Sequence, residues 1–145
     1  GLGLKLPNDK TDVTYYGYGP YESYSDKHRA SWIDRFDTTV DDMFEDYVFT
    51  QENGSHYNCQ YASVGNLFAK GKKPFSFQAS RYSEKELDEK AHNFELVPSD
   101  GIYVALDYKQ SGIGSNSCGP RLAEKYQLRE EKIEWEISIR FDNKN

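Results

Sequence analysis

The strongest constraint on the fold is a segment of strict alternation near the end of the chain. From residue 132 to residue 141, every second side chain is apolar, and these positions are Ile133, Trp135, Ile137, Ile139 and Phe141. A period of two over ten residues is typical of an antiparallel β-strand that buries one face and exposes the other. The segment therefore predicts a strand over 132–141 and a sheet for it to join.

The same alternation occurs elsewhere in the chain. It is clear at 1–6, 75–80 and 102–107, and weaker strands are expected at 13–16, 32–36 and 59–64. The aromatic share of 15% favours β-structure, because aromatic side chains pack well on a pleated surface. The sequence predicts an all-β fold, an antiparallel β-sandwich with one or two short helices, in a single domain over residues 1–145.

One helix is predicted between the strands. Ser83 and Glu86 have the Ser-x-x-Glu spacing of a capping box, and a run of charged residues with Leu87 follows. We interpret that charged run as a solvated helix face. A further helical turn is expected around 41–46.

Composition excludes several classes of function. The formal net charge of −6 argues against nucleic-acid binding, and no apolar run reaches the ~20 residues of a membrane span. Cys59 and Cys118 are too few for a disulfide framework or a zinc site, and they favour a reducing compartment, so a cytoplasmic location is expected. Met43 is the only methionine, so we expect Gly1 to lie inside a longer natural chain.

The sequence predicts neither catalytic nor metal-binding residues. The acidic neighbours at 41–42 and 130–131 lie in polar stretches typical of surface carboxylates, and His28, His56 and His92 show no metal-ligand spacing. Gly112 and Gly114 begin like a dinucleotide fingerprint, but Ser117 occupies the position of the third glycine.

Two segments have a composition suited to ligand contact. Residues 15–27 hold five tyrosines, which could stack on a sugar, although a strand and turn that bury these rings and satisfy Glu22 and Asp26 internally is the favoured interpretation. Residues 111–120 are rich in glycine, serine and asparagine, and they form either a ligand-contacting loop or a plain connection. Cys118 has no nearby basic group that would activate it as a nucleophile.

Together these segments resemble the C-terminal domain of glycoside hydrolase family two β-galactosidases. The signature Trp/Tyr-x-Gly-x-Gly-Pro-x-Glu-x-Tyr-x-Asp-Arg is similar to residues 16–27. Further matches, in chain order, are Tyr-Val-x-Pro-x-Glu-Asn/Thr-Gly at 47–54, Ser-x-Tyr-(Ser/Thr) at 80–83 and Gly-Val/Ile-Gly-x-x-Asp/Asn-Ser-Trp/Cys-x-Pro at 112–120. The resemblance extends over nearly the whole chain, from about Gly1 to Phe141.

The resemblance implies the later half of a galactose-mutarotase-like β-sandwich that packs on a (β/α)₈ barrel. The parent enzyme would be a retaining glycosidase that hydrolyses terminal β-D-galactosides such as lactose, and Mg and Na would bind in its other domains. The catalytic glutamates belong to the barrel, so this chain alone is expected to be inactive. Its expected contact with substrate is the loop carrying Asn116, Ser117 and Cys118, at the rim of the galactose pocket.

This sequence departs from the family pattern at three positions. Cys118 stands where some members have Trp, so we expect looser contact with the sugar, because a thiol cannot stack as an indole does. Lys27 replaces the signature Arg, and an ammonium group lacks the planar guanidinium that can pair with a carboxylate through two hydrogen bonds. Thr50 stands where the family often has Pro.

Three alternatives are open at this point. The chain could be an autonomous carbohydrate-binding module that uses the tyrosines, or a mutarotase-like enzyme, which would need a paired His and Glu. It could also belong to a small subunit that pairs with a separate large catalytic subunit. An exposed sheet edge could in addition allow a homo-oligomer.

Overall fold

The computed structural model describes residues 1–114 and 121–142, and these residues form an antiparallel β-fold with little helix. The all-β prediction is thereby confirmed. The strands are β1 (Leu2–Pro7), β2 (Asp12–Gly19), β3 (Trp32–Thr39), β4 (His56–Val64), β5 (Leu67–Ser80), β6 (Gly101–Asp107) and β7 (Ile137–Phe141). The helix α1 spans Glu84–Glu89, and short 3₁₀ helices span Asn93–Glu95 and Glu124–Tyr126.

All seven strands of the described residues belong to one sheet, in the order β1-β6-β5-β4-β2-β3, with β7 also paired to β5. The 14-residue strand β5 makes this arrangement possible. Its residues 67–71 pair with β7, and its residues 76–80 pair with β6. Pro74 lies between the two paired parts, where the absence of an N–H donor costs no ladder hydrogen bond.

The core lies on one face of the sheet, as the alternation predicts. Phe75, Phe77 and Ala79 of β5 are buried beside Val104 and Leu106 of β6, and the neighbouring strands add further apolar side chains to the same cluster. Phe75 and Phe77 are at most 1% exposed. Replacing either ring with Ala should cost about 3–5 kcal/mol, the range typical of buried aromatic truncation.

The strand predicted over 132–141 is shorter in the structure, because β7 begins only at Ile137. Trp135 and Ile137 still pack against the core, so the alternating face is correct, but the ladder is not continued. The reason lies in the partner strand, because β5 is paired with β7 only as far as Gly71. Beyond that point a backbone hydrogen bond runs from Lys72 N to Glu136 O at 3.2 Å.

The predicted helix forms where the capping signal placed it. Ser83 Oγ accepts the Glu86 N–H at 3.0 Å, and Leu87 is the buried residue of α1. The Glu86 carboxylate accepts the Val97 N–H at 2.9 Å and thereby ties the helix to the chain that follows it. Around residues 41–46 a single turn forms, in which Met43 N donates to Thr39 O. Within residues 1–114 and 121–142, no helix is both long and apolar enough to cross a bilayer.

Candidate functional site: a turn that holds two loops

Residues 17–28 comprise the end of β2 and the turn that follows it, and we call them the signature turn. Its tyrosines are used mainly in packing. Tyr15, just before the turn, is fully buried against His56 and Phe77, and Tyr24 is 1% exposed. Burial raises the pKa of both hydroxyls far above the ordinary range. The interpretation that this segment buries its rings is therefore confirmed for these two tyrosines, whereas Tyr21 is 58% exposed.

Glu22 is the buried carboxylate of the signature turn, with a side chain only 3% exposed. It accepts hydrogen bonds from the Lys27 ammonium and from the Tyr47 hydroxyl. Its second oxygen accepts the Gly54 N–H at 2.9 Å. A buried carboxylate needs such partners to offset its lost hydration. Glu22 thereby fixes the segment between β3 and β4 to the turn.

Asp26 performs a similar task on the opposite side of the turn. Its Oδ1 accepts the Ile113 N–H at 3.1 Å, and its Oδ2 accepts the Gly114 N–H at 2.9 Å. Gly112 makes this approach possible, because a Cβ at that position would lie 2.4 Å from the Asp26 carboxyl carbon. The first residues of the segment that follows β6 are thus held directly against the signature turn.

Further hydrogen bonds hold the same segment from its other side. Gly112 N donates to Tyr126 O at 2.9 Å, and Leu128 N donates to Ser111 Oγ at 3.1 Å. The Gln110 amide donates at 3.1 Å to both Glu52 and Asp107. Residues 110–114 are therefore bonded to the signature turn, to the segment after β3 and to the segment before β7.

Glu52 and Asp107 are the two carboxylates that accept hydrogen bonds from Gln110. Loss of hydration raises the pKa of each, and repulsion acts in the same direction, from Asp107 on Glu52 and from Glu84 on Asp107. They line a cleft of about 1180 Å³ between the polar face of the sheet and α1. The neutral Gln110 amide donates a hydrogen bond to both carboxylates. We therefore interpret Glu52 and Asp107 as acids with a structural role.

His56 lies directly beneath the signature turn. Its Nδ1 is 3.1 Å from Tyr18 O, so this nitrogen carries the proton and donates, and the ring stacks on Phe77. The residue is 1% exposed, and burial lowers its pKa to about 4. It is a neutral, hydrogen-bonded core histidine at pH 7.

The three residues predicted to touch substrate, Asn116, Ser117 and Cys118, lie outside the described residues. The described structure instead places the residues just before them, Ile113 and Gly114, on Asp26. Sequence reasoning missed this contact, because 87 and 88 residues separate the partners. The available signal was the pair of glycines at 112 and 114, which permits close approach of another group.

The two family departures inside the described region have definite partners. Lys27 donates to Glu22 and, at 2.9 Å, to the Tyr47 hydroxyl. The Thr50 hydroxyl donates to Lys90 O, a hydrogen bond that Pro could not make. Both residues therefore contribute to the packing of the 44–54 segment.

One member of each pair of acidic neighbours identified in the sequence is engaged in an ion pair. Asp41 accepts from Arg81 at 2.5 Å and 3.0 Å, which lowers the Asp41 pKa, and Glu130 pairs with Lys109. Among residues 1–114 and 121–142, no group of three or more His, Cys, Asp or Glu residues could hold a metal ion.

The fold and this site define a β-sheet domain in which buried and half-buried polar side chains hold the loops in place. Residues 1–141 match the family model described as "Beta galactosidase small chain", and the chain belongs to that family. It is 48% identical over 142 residues to a protein named β-galactosidase from Actinobacillus pleuropneumoniae, covering 98% of this chain and 14% of that protein.

Two further relatives give the same picture. The chain is 43% identical over 145 residues to a β-galactosidase of Staphylococcus xylosus and 34% identical over 140 residues to one of Photobacterium profundum. It covers 15% and 13% of these proteins, and they cover 97% and 96% of this chain. The chain therefore spans only about a seventh of the length of the relatives it matches.

Proposed function

We propose that this chain is the non-catalytic, later half of the C-terminal β-sandwich of a β-galactosidase. In this role it packs on the catalytic barrel and contributes one loop to the rim of the galactose pocket. The parent hydrolyses terminal β-D-galactosides such as lactose with retention of configuration. The observation that carries the proposal is the match of residues 1–141 to the family, together with the anchored start of the 112–120 loop.

The apolar face of the sheet supports a second layer supplied by another part of the parent. At the edges of that face, Leu2, Trp32 and Phe141 are 39%, 53% and 53% exposed. A sandwich buries such a face against a facing sheet. A single-chain parent supplies that layer, and so does a separate large subunit that pairs with this chain as a small subunit.

The loop contribution rests on Asn116, Ser117 and Cys118. The resemblance assigns this position to the pocket rim, and the contacts of Asp26 with residues 113 and 114 support it, because a pocket rim must be rigidly held. We propose that Asn116 and Ser117 offer hydrogen bonds to the sugar and that Cys118 gives a looser wall than an indole would.

Metal ions and the compartment belong to the same proposal. We assign Mg and Na to other domains of the parent, as the family resemblance implies. We place the parent in the cytoplasm on the basis of the low cysteine content of this chain.

A direct test uses the purified chain 1–145, with circular dichroism first establishing that it is folded. We expect no hydrolysis of a chromogenic galactoside and no heat of binding with galactose or lactose. Hydrolysis would overturn the non-catalytic assignment, and millimolar or tighter sugar binding would favour an autonomous carbohydrate-binding module. Separately, NMR of the first-formed anomer with the full-length enzyme should show β-galactose, as retention requires.

A further inference from the structure

The most exposed large apolar side chains lie on two loop segments, residues 46–50 between β3 and β4 and residues 91–97 between α1 and β6. Their exposed fractions are 64–81%, whereas every other large apolar side chain in residues 1–114 and 121–142 is at most 58% exposed. We call them the apolar patch, which consists of Val48, Phe49, Phe94 and Val97. Single exposed apolar residues are ordinary on a protein surface, but a group of this size is typical of an interaction surface.

Hydrogen bonds join the two segments into one surface. The Asn93 N–H donates to Val48 O at 3.2 Å, and the Asn93 side-chain amide donates to Asp46 at 2.8 Å. The Thr50 hydroxyl donates to Lys90 O and joins the segments a second time. The apolar side chains therefore extend into solvent from an ordered base, and their hydration is a cost that burial against a partner removes.

Three carboxylates border the apolar patch. Glu86 accepts the Val97 N–H at 2.9 Å, and Asp46 is the acceptor already described. Glu95 accepts the N–H groups of residues 91 and 92, at 3.1 Å and 2.9 Å. Within the described part of the chain, none of these three carboxylates forms an ion pair with Lys or Arg. A complementary partner therefore carries positive groups around an apolar centre.

The size of the patch indicates what covers it. Its two phenylalanine rings alone expose about 300 Å², taking about 200 Å² for a whole ring. A complex held by one interface buries about 800 Å² on each partner, so this patch is too small to hold a second copy of the enzyme by itself. It is large enough for a contact between domains that other surfaces already hold together. The relatives contain further domains, because this chain covers only 13–15% of their length.

We propose that the apolar patch binds another domain of the parent β-galactosidase, at a surface with an apolar centre and Lys or Arg at its rim. This inference rests on the proposed function, because it takes the chain to be one part of that larger enzyme. The patch does not include the edge residues Trp32 and Phe141, which the second layer of the sandwich covers. It is thus a second attachment, and two attachments fix the orientation of the domain in the enzyme.

Hydroxyl-radical footprinting of the full-length enzyme, read by mass spectrometry, tests whether the patch is covered. Phe49 and Phe94 should be oxidised at least about fivefold more slowly in the native enzyme than in urea, because the centre of an interface is packed as densely as a protein interior. Similar native and urea rates at Phe94, as its 81% exposure in the isolated domain would give, overturn the proposal.

A matched pair of variants tests whether the two loops share one partner surface. In the full-length enzyme, Phe94→Ser should raise the native oxidation rate of Phe49 severalfold, whereas Phe94→Leu keeps an apolar side chain and should retain the parental rate. The buried ring of Phe77 reports folding, and its rate should be unchanged in both variants. If Phe49 keeps its parental protection in Phe94→Ser, the loops do not share a partner surface and the proposal is overturned.

A photocrosslinker identifies the occupant. On irradiation of the full-length enzyme, Phe94→p-benzoylphenylalanine should join to a peptide outside residues 1–145 that lies beside Lys or Arg residues. A cross-link to residues 1–145 of a second copy would assign the patch to an oligomer contact and overturn the proposal. The absence of any cross-linked peptide would also overturn it.

The same footprint separates this inference from the function on which it rests. If Phe94 is unprotected but Trp32 and Phe141 are protected, the domain packs on its parent through the sheet alone and only this inference fails. If all three side chains are oxidised as fast as in urea, the proposed packing of the domain fails as well.

Discussion

Glu22 and Asp26 lie four residues apart in the signature turn, yet they hold their loops under different conditions. Glu22 is almost fully buried and binds a cation, a hydroxyl and one backbone amide. Asp26 is half-buried and binds two backbone amides of one exposed segment. The difference indicates two separate roles: Glu22 stabilises the domain, and Asp26 fixes the geometry of a single loop.

Among the variants that compare the two acids, Glu22→Gln should therefore have the largest effect on stability. The change leaves the Lys27 ammonium without its counterion, although Lys27 is about half exposed and can turn toward water. We expect the free energy of unfolding to fall by about 2–4 kcal/mol, near the lower end of the cost of breaking a buried pair. Chemical denaturation monitored by tryptophan fluorescence measures the change.

Glu130→Gln is the matched control, because Glu130 pairs with Lys109 at the surface. Exposed pairs contribute little, so this variant should change the free energy of unfolding by less than about 0.5 kcal/mol. Equal losses in the two variants would show that burial does not distinguish Glu22.

A pH effect of somewhat smaller size should come from His56, beneath the turn. Its pKa is lowered to about 4 in the fold, so the unfolded chain binds the proton first as the pH falls. The stabilisation is fully present above about pH 6.5 and is lost progressively as the pH falls from there through 4. We expect a loss of about 2–3 kcal/mol over this interval.

The comparison of parent and His56→Gln chains isolates this contribution from the carboxylates that titrate in the same range. The denaturation free energy of His56→Gln should depend less on pH between 6.5 and 4. The same slope in both chains would contradict the assignment.

Asp26→Asn should have a smaller effect on stability than either of these. One of two hydrogen bonds is lost in a half-buried position, where water can replace it, so we expect about 1 kcal/mol. The same denaturation experiment measures it. A loss of unfolding free energy as large as that of Glu22→Gln would show that the two acids do not have separate roles.

The smallest effect is predicted for Lys27→Arg, which restores the signature residue. The guanidinium can bond Glu22 and the Tyr47 hydroxyl in place of the ammonium. We expect a change in unfolding free energy of less than about 0.5 kcal/mol in either direction. A larger gain would show that the planar fork is better suited to this site.

Local patterns predicted most of the sheet, because alternation reports burial directly. Phe75, Phe77 and Ala79 are buried as their spacing indicates, and Ser83 caps α1. The limit of β7 at Ile137 was not predictable, because it depends on where the partner strand β5 ends its pairing. The length of a paired strand depends on both partners, and the alternation within one strand does not show where its partner stops pairing.

The site was predicted less completely than the fold for the same physical reason. The turn composition indicated that Glu22 and Asp26 would be satisfied within the protein, but their partners lie in other loops. Gly54 is 32 residues from Glu22, and Gly114 is 88 residues from Asp26. Contacts between distant loops depend on the whole sheet topology, which no local spacing encodes.

The central claim is that the 112–120 loop of this chain meets the galactoside, and Cys118 provides its most direct test. Cys59 is fully buried, and burial raises its thiol pKa, so it should resist alkylation and serve as an internal control. Iodoacetamide labelling of the full-length enzyme, followed by mass spectrometry of the peptide containing Cys118, should be slowed at least severalfold by a saturating thiogalactoside. An identical Cys118 labelling rate with and without the sugar would contradict the account.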